Sequence, residues 1–209
     1  GAYGDGVTIN TGAAYIFKRD GHTWSEQAKL VANDPGGGDL FGQTVSISGD
    51  YAIVSAKLND SPTDSGSAYI FTRVTDTNWT QQKIVASDPG QSDQFSASVS
   101  ISGDYAIVGA VRNDNPTNSG SAYIFTRNVT TGIWSQQQKI VTTDPGGEDY
   151  FGNSVAIDGD YAIIGAYYNN DSFADSGSAY IFKRDGTTWS EQAKLVAGDP
   201  GQTDNFGNS

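Results

Sequence analysis

Aspartate is the residue whose type and spacing most clearly suggest chemistry in this sequence. The pattern Asp-Pro-Gly-x-x-Asp-x-Phe occurs four times. Carboxylates repeated at fixed places in loops could bind calcium, or a sugar through calcium, because Ca²⁺ prefers oxygen ligands. The same aspartates could instead cap turns by accepting backbone N–H groups, which needs no metal. Both interpretations stay open, and the candidate metal ligands are Asp34, Asp39, Asp88, Asp93, Asp144 and Asp149.

A second set of polar loops carries candidate ligand-binding residues. The order Asn-Asp-x-x-x-Asp-Ser-Gly spans 59–66, and its next copy has Asn118 in place of the second aspartate. The third copy is the most aromatic, which suits a contact with a sugar or a protein. The candidate binding residues are Asn59, Asp60, Asp64, Asn113, Asp114, Tyr167, Tyr168, Asp171, Phe173 and Asp175.

Catalytic chemistry finds little support in the residues present. The single histidine, His22, stands in a turn where the related segment has Thr187, and there is no cysteine. A Ser-His-Asp triad or a cysteine nucleophile therefore has no basis. Every repeat also offers the same aspartates, which favours many equal contacts over one tuned site. We predict no catalytic residue and a protein that is not an enzyme.

The charge of the chain narrows its partners. Acidic residues number 24 against 12 lysines and arginines, a formal net charge of −12 at pH 7. Such a surface repels phosphate backbones, so nucleic acid is not expected as a partner. No stretch approaches the length of an apolar membrane span, so membrane insertion is not expected either. The chain begins Gly1-Ala2-Tyr3 and has no methionine, from which we expect a piece of a longer protein.

Internal repetition dominates the sequence. Tryptophan occurs at positions 24, 79, 134 and 189, a constant spacing of 55 residues. The segment Ala-Tyr-Ile-Phe recurs with its tyrosine at 15, 69, 123 and 180, and Gly-Asp-Tyr-Ala-Ile with its tyrosine at 51, 105 and 161. Landmarks that keep a fixed order predict a tandem array of one supersecondary unit.

Each repeat reads as four short strands separated by turn residues. In the first full copy the strands are 44–48, 51–54, 68–71 and 79–85. The middle strands are apolar on both faces, as in a sheet packed between two others. The fourth strand carries a lysine, typical of an exposed edge that must not recruit another strand; the four are Lys29, Lys83, Lys139 and Lys194. These strands predict an all-β fold, a β-propeller built from four-stranded blades.

The repeat spacing also predicts where blades begin and end. We expect a partial blade at 1–40, blades at 41–94, 95–150 and 151–205, and the start of the next blade at 206–209. This amounts to about three and a half blades, and repeats of this kind need neighbours to bury their faces. We therefore expect the segment to be part of a ring, with seven blades as the leading count. Two chains, or one longer chain, would supply them.

Two short glycine motifs recur beside the inner strands. Phe-Gly stands before the first strand, at Phe41-Gly42, Phe151-Gly152 and Phe206-Gly207, and Gly-Ala follows the second, in Val108-Gly109-Ala110 and Ile164-Gly165-Ala166. In these motifs the repeats resemble the FG-GAP family, known from the propeller domains of integrin α subunits. Two places depart from the pattern, with Phe95-Ser96 and Ser55-Ala56. The resemblance covers essentially the whole chain. It implies a propeller that is secreted or lies on a cell surface and acts in adhesion or ligand recognition.

One feature of integrin-like repeats is missing. Their calcium loop lies between the first and second strands, where this chain has only short turns such as Gly49-Asp50. A two-residue hairpin cannot surround a cation that takes about six to eight oxygen ligands. The family's calcium site therefore does not carry over to these positions.

The order of the strands predicts a polarised ring. In an antiparallel blade, the loops between the second and third strands and the linkers between blades lie on one face. They hold fifteen of the 24 acidic residues, with only Lys57 and Arg112 as basic residues nearby. We predict a non-enzymatic extracellular or cell-surface binding or adhesion module that presents this acidic face to a protein or glycan. The alternatives are a structural, self-associating repeat of a surface protein or filament, and a domain appended to a secreted enzyme.

Overall fold

The computed structural model describes residue 1 and residues 11–59, 64–113, 118–170 and 173–209. These residues form antiparallel sheets in which each strand pairs with its neighbour in the chain. No helix occurs among them, and hence none that could cross a membrane. The predicted all-β architecture of blade-like sheets is confirmed.

The strands fall into one two-stranded and three four-stranded sheets. The first sheet contains β1 (Ala14–Asp20) and β2 (Thr23–Leu30). The second contains β3 (Val45–Ser48), β4 (Tyr51–Ala56), β5 (Ser67–Arg73) and β6 (Trp79–Ile84). The third contains β7 (Phe95–Ser102), β8 (Tyr105–Ala110), β9 (Ser121–Arg127) and β10 (Trp134–Ile140). The fourth contains β11 (Val155–Asp158), β12 (Tyr161–Ala166), β13 (Ser178–Asp185) and β14 (Thr188–Leu195).

Each inner hairpin is fixed to the third strand by a charged pair. In the third sheet, Arg127 at the end of β9 donates from Nε to the Asp104 carboxylate at 2.7 Å, and its backbone N–H donates to the Asp104 carbonyl at 2.9 Å. Asp104 forms the tight turn with Gly103, whose φ of +55° favours glycine. The other two four-stranded sheets repeat this pair with the same residue types.

The core lies between the sheets, where the middle strands of the second and third sheets are covered on both faces. Ile53 of β4 and Ile107 of β8 have no exposed surface. Tyr123 of β9 is also fully buried, and Phe95 packs edge-on against its ring at a centroid distance of 5.5 Å. Aromatic edge contacts of this kind repeat in every four-stranded sheet. Stacking of neighbouring sheets therefore supplies the apolar burial that one blade lacks alone.

Side-chain amides bind neighbouring sheets to each other along their outer strands. Gln82 of β6 donates to the Trp134 carbonyl at 2.7 Å and accepts from the Trp134 amide at 2.9 Å. Gln138 of β10 makes the same two bonds with Trp189, both at 2.8 Å. On the inner strands, Ser46 Oγ accepts from the Ile101 amide at 3.2 Å. These bonds fix the register of one sheet against the next.

An aromatic and cationic wedge completes each contact between four-stranded sheets. Tyr51 meets Trp134 of the next sheet edge-on at 5.7 Å, and the Arg127 guanidinium lies 5.1 Å from the Tyr51 ring. At the two ends of the array the equivalent groups are open. Tyr161 on the fourth sheet is 52% exposed and Trp24 on the first is 64% exposed. The array thus has two apolar end faces within the described residues, and a seven-bladed ring stays a prediction.

Candidate functional site

The linkers between sheets are held by their aspartates. In the linker that leads into β3, the Asp39 carboxylate accepts from the Gly36 amide at 2.6 Å and from the Asn59 side-chain amide at 2.7 Å. Asn59 in turn accepts from the Ser67 hydroxyl at 3.0 Å. The same contacts recur at Asp93 and Asp149. These carboxylates therefore cap the linker turn and join it to the loop after the second strand.

The first aspartate of each linker has a different set of partners. The Asp34 carboxylate accepts from the Tyr69 hydroxyl and from the Lys83 ammonium, both at 2.6 Å. Burial opposes the ionisation of Asp34, but the Lys83 and Tyr69 hydrogen bonds outweigh it and hold the pKa of the carboxyl below its usual value. Asp88 and Asp144 have the equivalent tyrosine and lysine partners.

Three of the four outer-strand lysines consequently differ from the expectation drawn from the sequence, whereas Lys29 is exposed. Lys83, Lys139 and Lys194 are only 18 to 25% exposed at the side chain, and each reaches back to a linker aspartate. A lysine that guards an exposed edge would point into solvent. The long methylene stem lets the ammonium lie beside a buried tyrosine ring and still reach the carboxylate. These lysines join an outer strand to the linker.

The candidate metal ligands all lie in these hydrogen-bond networks. Within the residues that the structure describes, no three histidine, cysteine, aspartate or glutamate side chains are grouped to hold a metal ion. Asp39, Asp93 and Asp149 thus have the turn-capping geometry that the sequence left open. Asp34, Asp88 and Asp144 instead bind a tyrosine and a lysine. Calcium binding at these positions stays open, and its test is given below.

The candidate binding residues do not come together as one group. Asn59 and Asn113 are buried in the linker networks. Asp64 and Asp175 adopt positive φ angles of +59° and +54° in the loops before the third strands, and Phe173 is exposed. Only Tyr167 and Tyr168 line a cavity. The remaining candidates, Asp60, Asp114 and Asp171, lie outside the described residues.

A polar cavity of about 470 Å³ lies where the linkers and the loops after the second strands meet. We call it the loop-face cavity. It is lined by two cations, three amides, a tyrosine cluster and two small apolar residues. The cations and amides are Lys57, Arg112, Gln43, Gln94 and Asn153. Because these residues come from three different sheets, the cavity exists only when the sheets are stacked.

The tyrosine cluster forms one wall of the cavity. The ring centroids of Tyr167 and Tyr168 are 4.1 Å apart, and Tyr150 lies 5.8 Å and 5.4 Å from them. Burial raises the pKa of the Tyr167 hydroxyl, and the neighbouring Tyr168 adds to this shift. The three tyrosines therefore present hydroxyl groups and ring surface to the cavity.

The cavity lining also carries positive charge, from Lys57 and Arg112. Burial lowers the pKa of the Lys57 ammonium, and repulsion from Arg112 lowers it further. Among the described residues, neither cation forms an ion pair with a carboxylate. By contrast, the lysines of the outer strands and the arginines of the third strands in the three four-stranded sheets pair with aspartates. Lys57 and Arg112 thus bring positive charge to the cavity.

The repeats differ around the cavity, as they also do in the turns between the third and fourth strands. The strands are similar from copy to copy, yet the residue type varies among the copies at four positions that reach this region. These positions hold Leu40, Gln94, Tyr150 and Asn205; Gln43, Ala97, Asn153 and Asn208; Lys57, Val111 and Tyr167; and Leu58, Arg112 and Tyr168. The repeats therefore share a scaffold and vary the surface that it carries.

Tyr150 occupies this surface in an uncommon backbone conformation. Its φ is +54°, in the left-handed region that favours glycine, and Gln94 at the equivalent position has the same angle. A bulky residue there costs about 1 kcal/mol or more relative to glycine. Retaining a tyrosine side chain in this conformation is consistent with a role in the cavity.

The sequence located only part of this site. Tyr167 and Tyr168 stood out because their loop is aromatic, whereas Lys57 and Arg112 were seen only as exceptions on an acidic face. Tyr150 was missed because its linker was interpreted through the aspartates alone. A comparison of the aligned copies for positions that differ would have indicated all five residues.

The fold and the repeated linker networks define a β-propeller repeat protein. The family profile described as FG-GAP repeat matches residues 24–71, 79–125 and 134–182, more than half of the chain. The chain belongs to the FG-GAP repeat family. No curated protein is matched by the chain.

The family repeat is out of phase with the sheets. Each matched segment begins at the outer strand of one sheet and ends in the third strand of the next, as residues 24–71 run from β2 into β5. One repeat therefore contains the linker, the Asp34 and Asp39 turn, and the Tyr69 that binds it. The sequence unit includes the contact between two sheets.

Proposed function

We propose that this chain is a non-enzymatic recognition module of an extracellular or cell-surface protein, with its loop face turned toward a protein or glycan ligand. FG-GAP repeats are typical of surface and extracellular proteins and of propeller binding modules. The observation that supports the proposal best is the variation among the repeats: the copies agree in the scaffold and differ around the loop-face cavity.

An exposed aromatic side chain elsewhere on the loop face adds to its contact surface. Phe173 is about half exposed in the loop before β13, beside a region that is rich in acidic residues. Large aromatic side chains supply much of the binding free energy at protein interfaces, and charged rims steer association. The acidic surface of this face is part of the proposal.

The test is a binding screen with a loop-face variant. The purified chain is applied to a glycan array and to a panel of extracellular-matrix proteins, in parallel with a Tyr167→Ser/Tyr168→Ser variant. We expect at least one glycan or protein to bind the natural chain and to lose about tenfold or more of its affinity for the variant, because two cavity aromatics are removed.

The matched control for this screen is Val129→Ser. Val129 is exposed in the turn after β9, at the opposite end of the third sheet. This variant should keep the full signal, and both variants should melt at nearly the natural temperature. Equal binding by the loop-face variant, or no ligand in either panel, would contradict the proposal.

The two end faces favour a second candidate, a self-associating structural repeat. Ile163 on the fourth sheet is 39% exposed, whereas the equivalent Ile53 and Ile107 are fully buried by the following sheet. On the first sheet Phe17 and Trp24 are open in the same way. A second copy could seat its first sheet on the fourth sheet of its partner and repeat the Tyr51 to Trp134 contact with Tyr161 and Trp24. Such a head-to-tail contact is heterologous and leads to rings or filaments.

Sedimentation velocity over a concentration series tests this second candidate. We expect association that increases with concentration and is abolished by Ile163→Asp, which places a charge on the end face. Val129→Asp introduces the same group away from both end faces and should associate like the natural chain. A monomer at every concentration would exclude head-to-tail assembly.

A further inference from the structure

Lys57 and Arg112 are two cations that line one cavity and repel each other. Most other cations of the chain bind an aspartate, as Lys83, Lys139, Lys194, Arg73, Arg127 and Arg184 do. Among the described residues, Lys57 and Arg112 have no carboxylate partner, and neither do Arg19 and Lys183, but those two do not line the cavity. Two like charges that no described carboxylate neutralises raise the free energy of the empty site, and an anion would remove that cost.

We infer that the loop-face cavity binds the carboxylate of an acidic sugar, with Lys57 and Arg112 on the carboxylate and the tyrosines and amides around the ring. The inference rests on the proposed recognition function and names the chemical class of its ligand. A guanidinium matches the two oxygens of a carboxylate, and an ammonium adds a point charge beside it.

The other groups that line the cavity suit a sugar ring. Gln43, Gln94 and Asn153 each offer a donor and an acceptor, the combination that a row of ring hydroxyls requires. Tyr150 and Tyr168 offer aromatic surface for the apolar C–H side of the ring, and their phenols add further donors. The volume of about 470 Å³ is at the scale of a small-molecule site.

The charge around the cavity favours a ligand with a single carboxylate. The chain carries a net charge of −12, and the linkers that border the cavity contribute many of its aspartates. A long polyanion laid across this surface would meet repulsion on every side of the two cations. A sugar with one carboxylate places its charge at Lys57 and Arg112 and leaves the rest of the molecule neutral.

Calorimetric titration with monosaccharides is the direct test. D-glucuronate and N-acetylneuraminate supply the carboxylate, and D-glucose supplies the ring without it. We expect both acids to bind, and glucose to bind at least about tenfold more weakly, since hydrogen bonds between charged groups are stronger than those between neutral groups. Sodium acetate, the charge without the ring, should also bind at least about tenfold more weakly.

Charge-removing variants locate the site. Lys57→Gln and Arg112→Gln should each weaken glucuronate binding by about tenfold or more and leave glucose unchanged. Arg19→Gln removes one exposed positive charge at the end of β1, away from the cavity. This variant should bind glucuronate like the natural chain. The melting temperatures of the two cavity variants should not fall, because neither cation holds the scaffold.

Specific outcomes would overturn the inference. Equal binding of glucose and glucuronate would show that the carboxylate is not recognised. Glucuronate binding that is unchanged in Lys57→Gln and Arg112→Gln would show that the sugar binds at another site. Binding of an acidic peptide such as acetyl-Glu-Glu-Glu-amide in place of the sugar acids would assign the cavity to a protein ligand. That last result would leave the proposed recognition function standing, as would a ligand on the matrix-protein panel.

Discussion

Ser55 and Ser96 stand on the two sides of the contact between the second and third sheets, both without exposed surface. The Ala56 amide, next to Ser55, donates to Ser96 Oγ at 3.1 Å, and that hydroxyl donates to the Ser67 carbonyl. The contact between the third and fourth sheets has glycines at the equivalent places, Gly109 and Gly152. Ser55 and Ser96, which both replace a glycine of the family motif, therefore lie at the same contact and form a pair.

A single serine at the contact between Gly109 and Gly152 should lower the stability of the fold. A Cβ on Gly109 would lie 1.9 Å from the Gly152 carbonyl oxygen, so the sheets would have to separate. We expect Gly109→Ser to cost about 3 kcal/mol or more. The double variant Gly109→Ser/Gly152→Ser should recover about 1 to 2 kcal/mol relative to the sum of the single changes, since the Ser55 and Ser96 contact accommodates both side chains. Urea unfolding measures all three.

A backbone control separates crowding from conformational strain in that cycle. Gly132 has a φ of +75° and open space where a Cβ would stand, whereas Gly152 has a φ of +91° and close neighbours. Gly132→Ser should therefore cost only about 1 kcal/mol, from its backbone conformation alone. Strict additivity of the Gly109 and Gly152 substitutions would show that the serine pair is not coupled.

The buried tyrosines should stabilise the fold through their hydroxyl groups. The Tyr123 hydroxyl lies 2.9 Å from Asp88 Oδ1 and 3.0 Å from Asn113 Oδ1. Tyr123→Phe leaves these acceptors without their donor, and we expect a loss of about 1 to 3 kcal/mol, which lowers the melting temperature by about 2 to 4 °C per kcal/mol. Tyr161→Phe, on the open face of the fourth sheet, is the matched control. An equal loss in both variants would contradict the role of the linker network.

The glutamine bridges between outer strands should be measurable one at a time. Gln82→Ala removes two hydrogen bonds to the Trp134 backbone, and we expect a loss of about 1 to 2 kcal/mol in urea unfolding. Gln27→Ala makes the same chemical change, but the Gln27 side chain bonds only within β2, to Ser25 and Glu26, so it should change stability by about 0.5 kcal/mol or less. A Gln82→Ala variant as stable as the natural chain would mean that water replaces the bridge without cost.

Acid should destabilise the protein by protonating Asp34 and Asp144, whereas protonation of Asp149 should stabilise it. Hydrogen bonds hold the pKa values of Asp34 and Asp144 below the usual value, despite the opposing effect of burial. Their ionised forms stabilise the fold above about pH 4, and this contribution is lost as the pH falls through the lowered pKa. Burial raises the pKa of Asp149, which gives the opposite sign.

Melting temperatures between about pH 5 and about pH 2.5 distinguish the two sets of aspartates. We expect the decrease on acidification to be shallower in Asp144→Asn and steeper in Asp149→Asn than in the natural chain. The steeper slope follows because protonation of Asp149 favours the folded state. Parallel curves for all three proteins would show that other groups control acid unfolding.

Calcium should leave the stability of the chain unchanged. The described linker aspartates already accept hydrogen bonds from backbone, tyrosine, asparagine and lysine groups, and Ca²⁺ would have to displace the lysines. Melting in 5 mM calcium chloride and in excess chelator should agree within about 1 °C, because only a ligand of the folded state stabilises it. A rise of several degrees with calcium would contradict this and would direct attention to Asp60, Asp114 and Asp171.

The strands were predictable because their signals are local. Alternation, turn residues and a constant spacing are read within one repeat, and they placed Tyr51, Tyr69 and Trp79 in the strands where they lie. The linker networks and the cavity depend on contacts 20 to 50 residues apart, such as Asp34 to Lys83. No local sequence pattern indicates that a lysine contacts the previous linker. The sequence alone therefore suggests that Lys83 is a surface charge.

The offset between family repeat and sheet has a consequence for how such arrays lengthen. Duplication of a segment such as 79–125 copies the outer strand of one sheet together with the inner strands of the next. Each inserted copy then brings both sides of one contact between sheets, and the neighbouring repeats need no substitution to pack against the inserted copy. A change in the number of repeats would then require no compensating change at the contacts between sheets. Residues on the loop face could therefore diverge in a new copy as soon as it forms.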